Sequence, residues 1–165
     1  MTELLTELAR NGGFEIAFGG ESVPDLEPGE VAILGTISLG LHRESFVADL
    51  SFWSRGQYEM QWLQALQTIL SREDRTALIT SMHDPANAKF IEWWPMWKEG
   101  SEIILHNQLL LLDSLGEPFD SSHPGRFIGD RISTNEEGQA ISEWRIQVYA
   151  VREFLKLLSQ QSKHQ

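Results

Sequence analysis

The sequence predicts an α+β fold, a mostly antiparallel sheet with a central and a C-terminal helix packed on it. Three observations carry this: successive short runs with two-residue alternation, two stretches with helical spacing of apolar residues, and no βαβαβ alternation. Neither G-x-G-x-x-G nor G-x-x-x-x-G-K occurs, so doubly wound nucleotide folds are disfavoured. With 165 residues, 41% of them hydrophobic, and six Trp and eight Phe, the chain can fill one core, and residues 1–165 are read as a single globular domain.

Taken in order, Leu4, Leu5 and Leu8 mark a short helix over 3–10 that Asn11-Gly12-Gly13 stops. Phe14, Ile16 and Phe18 alternate as a strand. Glu21 to Glu30 holds Pro24, Pro28, Gly29 and four acids, and reads as an exposed acidic loop. Residues 31–40 and 44–53 form a hairpin connected near Leu41-His42-Arg43. Tyr58, Trp62, Leu66, Ile69 and Leu70 then mark one face of a helix of about four turns, with Gln61 and Gln64 among the residues mostly off that face. Arg75–Met82 reads as a strand buried on both faces and ended by His83-Asp84-Pro85.

In Phe90–Trp97 the missing N–H of Pro95 predicts an edge strand, or one broken at Pro95. Trp93, Trp94 and Trp97 cannot all point one way in an extended segment, so at least one is expected at an exposed or partner surface. The run Ile103–Leu112, bracketed by Gly100 and Gly116, reads as one long strand. Residues 113–139 are rich in Gly and Pro and read as irregular loops. Trp144, Ile146 and Val148 alternate as a strand, and Val151, Phe154, Leu155 and Leu158 close the chain as a helix.

Charge narrows the function. Lys plus Arg number 13 against 24 acids, a net charge of −11 that repels a phosphate backbone, so no direct nucleic-acid contact is expected. Residues 1–50 are the acidic part, with nine acids and two bases. Cysteine is absent, which removes disulfides, thiolate metal sites and thiol nucleophiles. No G-x-S-x-G elbow occurs, and His42, His83, His106, His123 and His164 are scattered without a metal-ligand spacing; no catalytic group, metal or cofactor is expected. The N-terminus lacks a basic, then apolar leader, and no apolar run approaches the ~18 residues of a membrane span, so a cytoplasmic protein that makes no membrane contact is expected. Trp62 and Trp144 fall in phase with their apolar neighbours and are assigned to the core. His106 is read first as a hydrogen-bonded core histidine. The alternative function is a small-ligand enzyme or binder built around the Trp cluster and His106. A third reading makes the chain a scaffold whose acidity serves only solubility.

The segments Ser51-Phe52-Trp53-Ser54-Arg55-Gly56-Gln57-Tyr58-Glu59-Met60-Gln61-Trp62 and Ile141-Ser142-Glu143-Trp144-Arg145-Ile146 flank the Trp93-Trp94-Pro95-Met96-Trp97 and Asn107-Gln108-Leu109-Leu110 runs. Together they resemble the immunity proteins of bacterial contact-dependent growth inhibition systems, the CdiI type, over roughly residues 40–160. The resemblance implies a cytoplasmic protein that binds and neutralises the toxin domain at the C-terminus of a large exported surface protein, often a nuclease. An acidic protein suits the cationic surface on which a nuclease holds phosphates. Two acidic loop clusters are the candidate toxin-binding sites: Asp25 and Glu27 in the first, and Asp120, Asp130, Glu136 and Glu137 in the second, where Phe127, with Phe119 and Ile128, would supply an apolar anchor. The toxin's identity, the face used and the oligomeric state stay open.

Overall fold

The computed structural model describes residues 13–20, 23 and 26–163. The expected helix over 3–10 lies outside these residues, as does Asp25. The strands and helices are β1 (Phe14–Phe18), β2 (Ala32–Leu39), β3 (His42–Asp49), α1 (Arg55–Ser71), β4 (Arg75–Ser81), β5 (Phe90–Glu99), β6 (Glu102–Leu105), β7 (Gln108–Leu111), β8 (Trp144–Gln147) and α2 (Val148–Lys163). Every strand pairing is antiparallel, but the strands form two sheets: β1-β2-β3, and a five-stranded sheet ordered β4-β5-β6-β8 with β7 also on β5.

In the small sheet, Phe14, Ile16 and Phe18 point inward as their alternation requires. The β2–β3 hairpin turns through Gly40-Leu41, where Gly40 supplies the positive φ of +63° that primed hairpin turns need at their first central position. The second strand therefore starts at His42 and stops at Asp49, earlier at both ends than the expected 44–53. Opposite Phe46 stands Gly35, where a Cβ would lie 2.4 Å from the ring, so the aromatic lies flat across β2.

Helix α1 begins at a capping box: Ser54 Oγ accepts the Gln57 N–H at 3.3 Å and Gln57 Oε1 accepts the Ser54 N–H at 2.8 Å. Its buried face joins the two sheets. Trp62 packs on Phe18 at 4.7 Å between ring centroids and on Phe46 at 5.8 Å, and its indole N–H donates to Ile79 O of β4 at 2.7 Å. Gln61, expected off the face, is buried instead. Its amide donates to Ala77 O at 2.8 Å and accepts the Ile79 N–H at 2.9 Å, so it completes the outer edge of β4 as a neighbouring strand would. Tyr58 extends this cover by accepting the Met82 N–H at 2.9 Å and donating to Asp49 O; burial pushes its hydroxyl pKa up to about 12.

Strand β5 corrects two expectations. It is neither an edge nor broken: it runs ten residues through the middle of the sheet, between β4 and the β6–β7 side. Pro95 is tolerated there because of which way it faces. A strand residue's N–H and C=O point to the same side, and Pro95 O accepts the His106 N–H at 3.1 Å, so the missing Pro95 donor also faces His106. The ladder fails at that point on the neighbouring strand, and the expected long strand 103–112 divides into β6 and β7. Their register against β5 is continuous, Met96↔Leu105 on one side of the gap and Trp93↔Gln108 on the other.

All three tryptophans of β5 are buried, against the expectation that one would be exposed. Both faces of the strand are covered. Trp93 packs against Phe119 and Trp97 donates to Gly129 O at 2.9 Å, so the irregular 113–131 segment forms one cover. On the opposite face Trp94 meets Trp144 at 5.2 Å, and Trp144 stacks on His42 of the small sheet at 4.6 Å. Trp144 is half-buried, packed against the core rather than within it. Phe154 of α2 meets Phe14 edge-on at 5.3 Å and closes the small sheet's inner side.

Candidate functional site

The expected acidic clusters divide once their partners are seen. Asp120 accepts the Ser122 N–H at 2.9 Å and lies 3.0 Å from His123 Nδ1; the His123 contact first, then the Ser122 N–H, holds its carboxyl below the usual range. Arg126 reaches the same carboxylate at 3.8 Å and also pairs with Glu117. Asp130 pairs with Arg75 of β4 at 2.5 Å, though its side chain stays 90% exposed. Glu136 and Glu137 stand exposed in a turn closed by Asn135, and Glu27 is exposed beside the turn at Pro28-Gly29; among the described residues none of these three has an ion-pair partner. Phe127 is half-buried against Phe119 at 5.0 Å and carries Arg126 over its ring at 5.7 Å. With Ile128 buried as well, the expected apolar anchor is committed to covering Trp93 and Trp97. The second cluster thus contains two carboxylates paired within the chain, Asp120 with nearby His123 and Arg126 and Asp130 with Arg75, far away in sequence, together with two free ones among the described residues.

His106 sits where the β6–β7 path is interrupted and is fully buried. Gln108 Nε2 directs a hydrogen at its Nδ1 over 3.1 Å, which leaves its Nε2 to donate to Glu143 over 2.9 Å. Trp97 covers the ring at 4.7 Å. Glu143 also accepts from Arg131 at 2.7 Å; burial alone would raise its pKa, but the bonds from His106 and Arg131 outweigh burial and hold it below 4.5. Both ring nitrogens are therefore engaged, Nδ1 with Gln108 of β7 and Nε2 with Glu143, and the latter bond ties the 131–143 segment to the sheet.

One arrangement has the outline of a nucleophile, base and orienter: Ser81 Oγ is 3.5 Å from His83 Nε2, and His83 Nδ1 is 2.9 Å from Asp49 Oδ2. Its geometry argues for packing. Ser81 is 3% exposed and its Oγ accepts the Asp49 N–H, so a substrate carbonyl has no approach to it. Among the described residues no three His, Asp or Glu side chains group as metal ligands, and no helix is long and apolar enough to cross a membrane.

What the surface does offer is apolar. Phe90, Leu109 and Leu111 are exposed by 41, 55 and 56%, side by side on β5 and β7, next to exposed Glu92. Sequence reading missed this patch because its residues continue the apolar runs of the core; only the pairing Phe90↔Leu111 and Glu92↔Leu109 reveals that the covered face ends there.

An α+β protein whose buried His106, Gln61 and Tyr58 are hydrogen-bonded, with an acidic surface and an exposed apolar patch on β5 and β7, has the features of a protein that works through the surfaces it presents. The chain is a member of the CdiI N-terminal domain family, whose model matches residues 48–154. It is 28% identical over 131 residues to the immunity protein CdiI of Enterobacter cloacae subsp. cloacae, covering 79% of this chain and 90% of that protein. The solved CdiA-CT/CdiI toxin and immunity complex from Enterobacter cloacae contains a chain with the same fold, at TM-score 0.78 and 28% identity, covering 89% of this chain and 99% of that one.

Proposed function

We propose that this chain is an immunity protein that binds the CdiA-CT toxin of its own contact-dependent growth inhibition system and neutralises it. The observation that carries the reading is family membership over 48–154, a span that includes α1, the whole five-stranded sheet and the exposed β5–β7 patch. In this reading the chain acts in the cytoplasm as one domain, by occupying the toxin and without turnover of its own. Its net charge of −11 supports a cationic target, and a nuclease, which holds phosphates, is the toxin class that suits it. Exposed Glu27, Glu136 and Glu137 act as steering charges at the rim, with Asp25 of the first loop; Asp120 and Asp130 contribute less because His123, Arg126 and Arg75 already compensate them.

Growth of cells expressing the cognate CdiA-CT domain, with and without this chain, tests the reading. Protection specific to the cognate toxin is expected. Unprotected growth arrest with folded chain present would refute it.

A further inference from the structure

We infer that the open edge of β7 is where the toxin docks, by adding an extended segment of its own chain to the five-stranded sheet. The inference rests on the immunity reading and names the surface it uses.

The argument starts from the ladder. His106 N–H points at Pro95 and Leu112 N–H donates to Lys89 O, both toward β5. By strand alternation Gln108 and Leu110 also face β5, while Asn107, Leu109 and Leu111 direct their backbone groups the other way. On the β6 half of this path the outward groups are taken by β8, paired from Glu102↔Gln147 to Leu105↔Trp144. Upstream of Trp144 the chain leaves the sheet and turns back on itself through the Thr134↔Ala140 bridge. Strand β7 therefore pairs with β5 alone, and among the described residues no strand takes the place beside it that β8 would fill by continuing.

The opposite edge of the same sheet is treated differently. The free edge of β4 is closed by Gln61, Trp62 and Tyr58 from α1. Soluble proteins blunt exposed edges with lysine, proline or a covering element. In β7 the residues are Gln-Leu-Leu-Leu, with neither lysine nor proline, and Leu109 and Leu111 stand exposed beside Phe90.

Charge selects the occupant. Glu44, which accepts from Asn107 at 2.7 Å and lies 3.2 Å from His42 Nε2, stands at one end of the edge; exposed Glu92 is opposite Leu109, exposed Asp113 follows the other end, and Lys89 precedes Phe90. An extended toxin segment with apolar side chains for the Phe90–Leu111 face and basic ones for Glu92 and Asp113 fits this surface. Main-chain bonds then give affinity and the flanking side chains give specificity.

The test is amide hydrogen exchange of the isotopically labelled full chain, free and saturated with its cognate CdiA-CT domain, beside affinity measurements on Leu109→Pro. Proline at 109 removes a donor that faces solvent, so it leaves the β5 ladder intact. In the free chain the Leu109 and Leu111 amides should exchange rapidly and those of Gln108 and Leu110 slowly; in the complex all four should be slow. Leu109→Pro should weaken the complex about ten- to a hundredfold. A complex in which Leu109 and Leu111 stay fast overturns the edge inference, whether or not the proline variant folds. A free chain in which they are already slow and the protein is a dimer overturns it in favour of a second copy. Failure of the parent chain to form any complex refutes the immunity reading itself, and this inference with it.

Discussion

Gln61 shows how much a single polar side chain can decide. Its amide satisfies one acceptor and one donor of β4 that are otherwise buried, so Gln61→Leu leaves Ala77 O and Ile79 N–H unpaired. Each such orphan costs about 1–3 kcal/mol, and chemical denaturation should show a loss of about 2–6 kcal/mol. Trp62→Ala removes a buried indole that packs on Phe18 and bonds Ile79 O, and a loss of about 3–5 kcal/mol is expected by the same measurement. Trp144→Ala, at a half-buried site, should cost less. Glu143 gives a pH signature. Its folded-state pKa lies below its ordinary value, so its bonds to His106 and Arg131 contribute fully above about pH 4.5 and are lost as pH falls through the depressed folded value. Denaturation midpoints of the parent and of Glu143→Gln should therefore differ most near neutral pH and converge below 4.5. A gap that stays constant with pH would contradict the ionic role assigned here.

At the level of elements, Pro95 explains both what was legible and what was not. Alternation located β1, the β2–β3 hairpin and β8, and helical spacing located α1 and α2, because one face of each meets a core; β4 was located as a run buried on both faces and ended by His83-Asp84-Pro85, and it is buried so. The position of β5 was not legible: a proline lowers the expectation of a central strand, and only the direction of its missing donor, toward His106, permits one. The exposed-Trp expectation failed because the 113–131 segment, irregular by its Gly and Pro content, still folds over Trp93 and Trp97. The Ser54–Gln57 capping box that starts α1 was not read from the sequence and emerged with the fold. In the candidate clusters the acids were readable, whereas the compensation of Asp130 by Arg75 depends on the fold. Pro95→Ala adds a donor facing His106 and frees the unfolded chain, two effects of similar size and opposite sign, so its stability should stay within about 1 kcal/mol of the parent. A large loss would mean that the break between β6 and β7 is held by something other than the missing N–H.

The molecule as a whole carries −11 of net charge on a fold whose buried His, Gln and Tyr side chains are hydrogen-bonded, and its exposed apolar patch lies among carboxylates. Charge of this kind acts on encounter, so association with a cationic partner should be fast at low salt and slow as salt rises, while reversal of Glu136 and Glu137 to lysine should lower the on-rate more than it raises the off-rate. The corresponding reversal of Asp120 and Asp130 should do less to the on-rate, since both are already paired within the chain. Stopped-flow mixing at several salt concentrations separates these outcomes. The central claim, that the chain works by holding its toxin, is tested most directly by titrating the purified chain with its cognate CdiA-CT domain in a calorimeter. The account predicts saturable binding at one toxin per chain that weakens with added salt; heat of dilution alone, with both proteins folded, would contradict it.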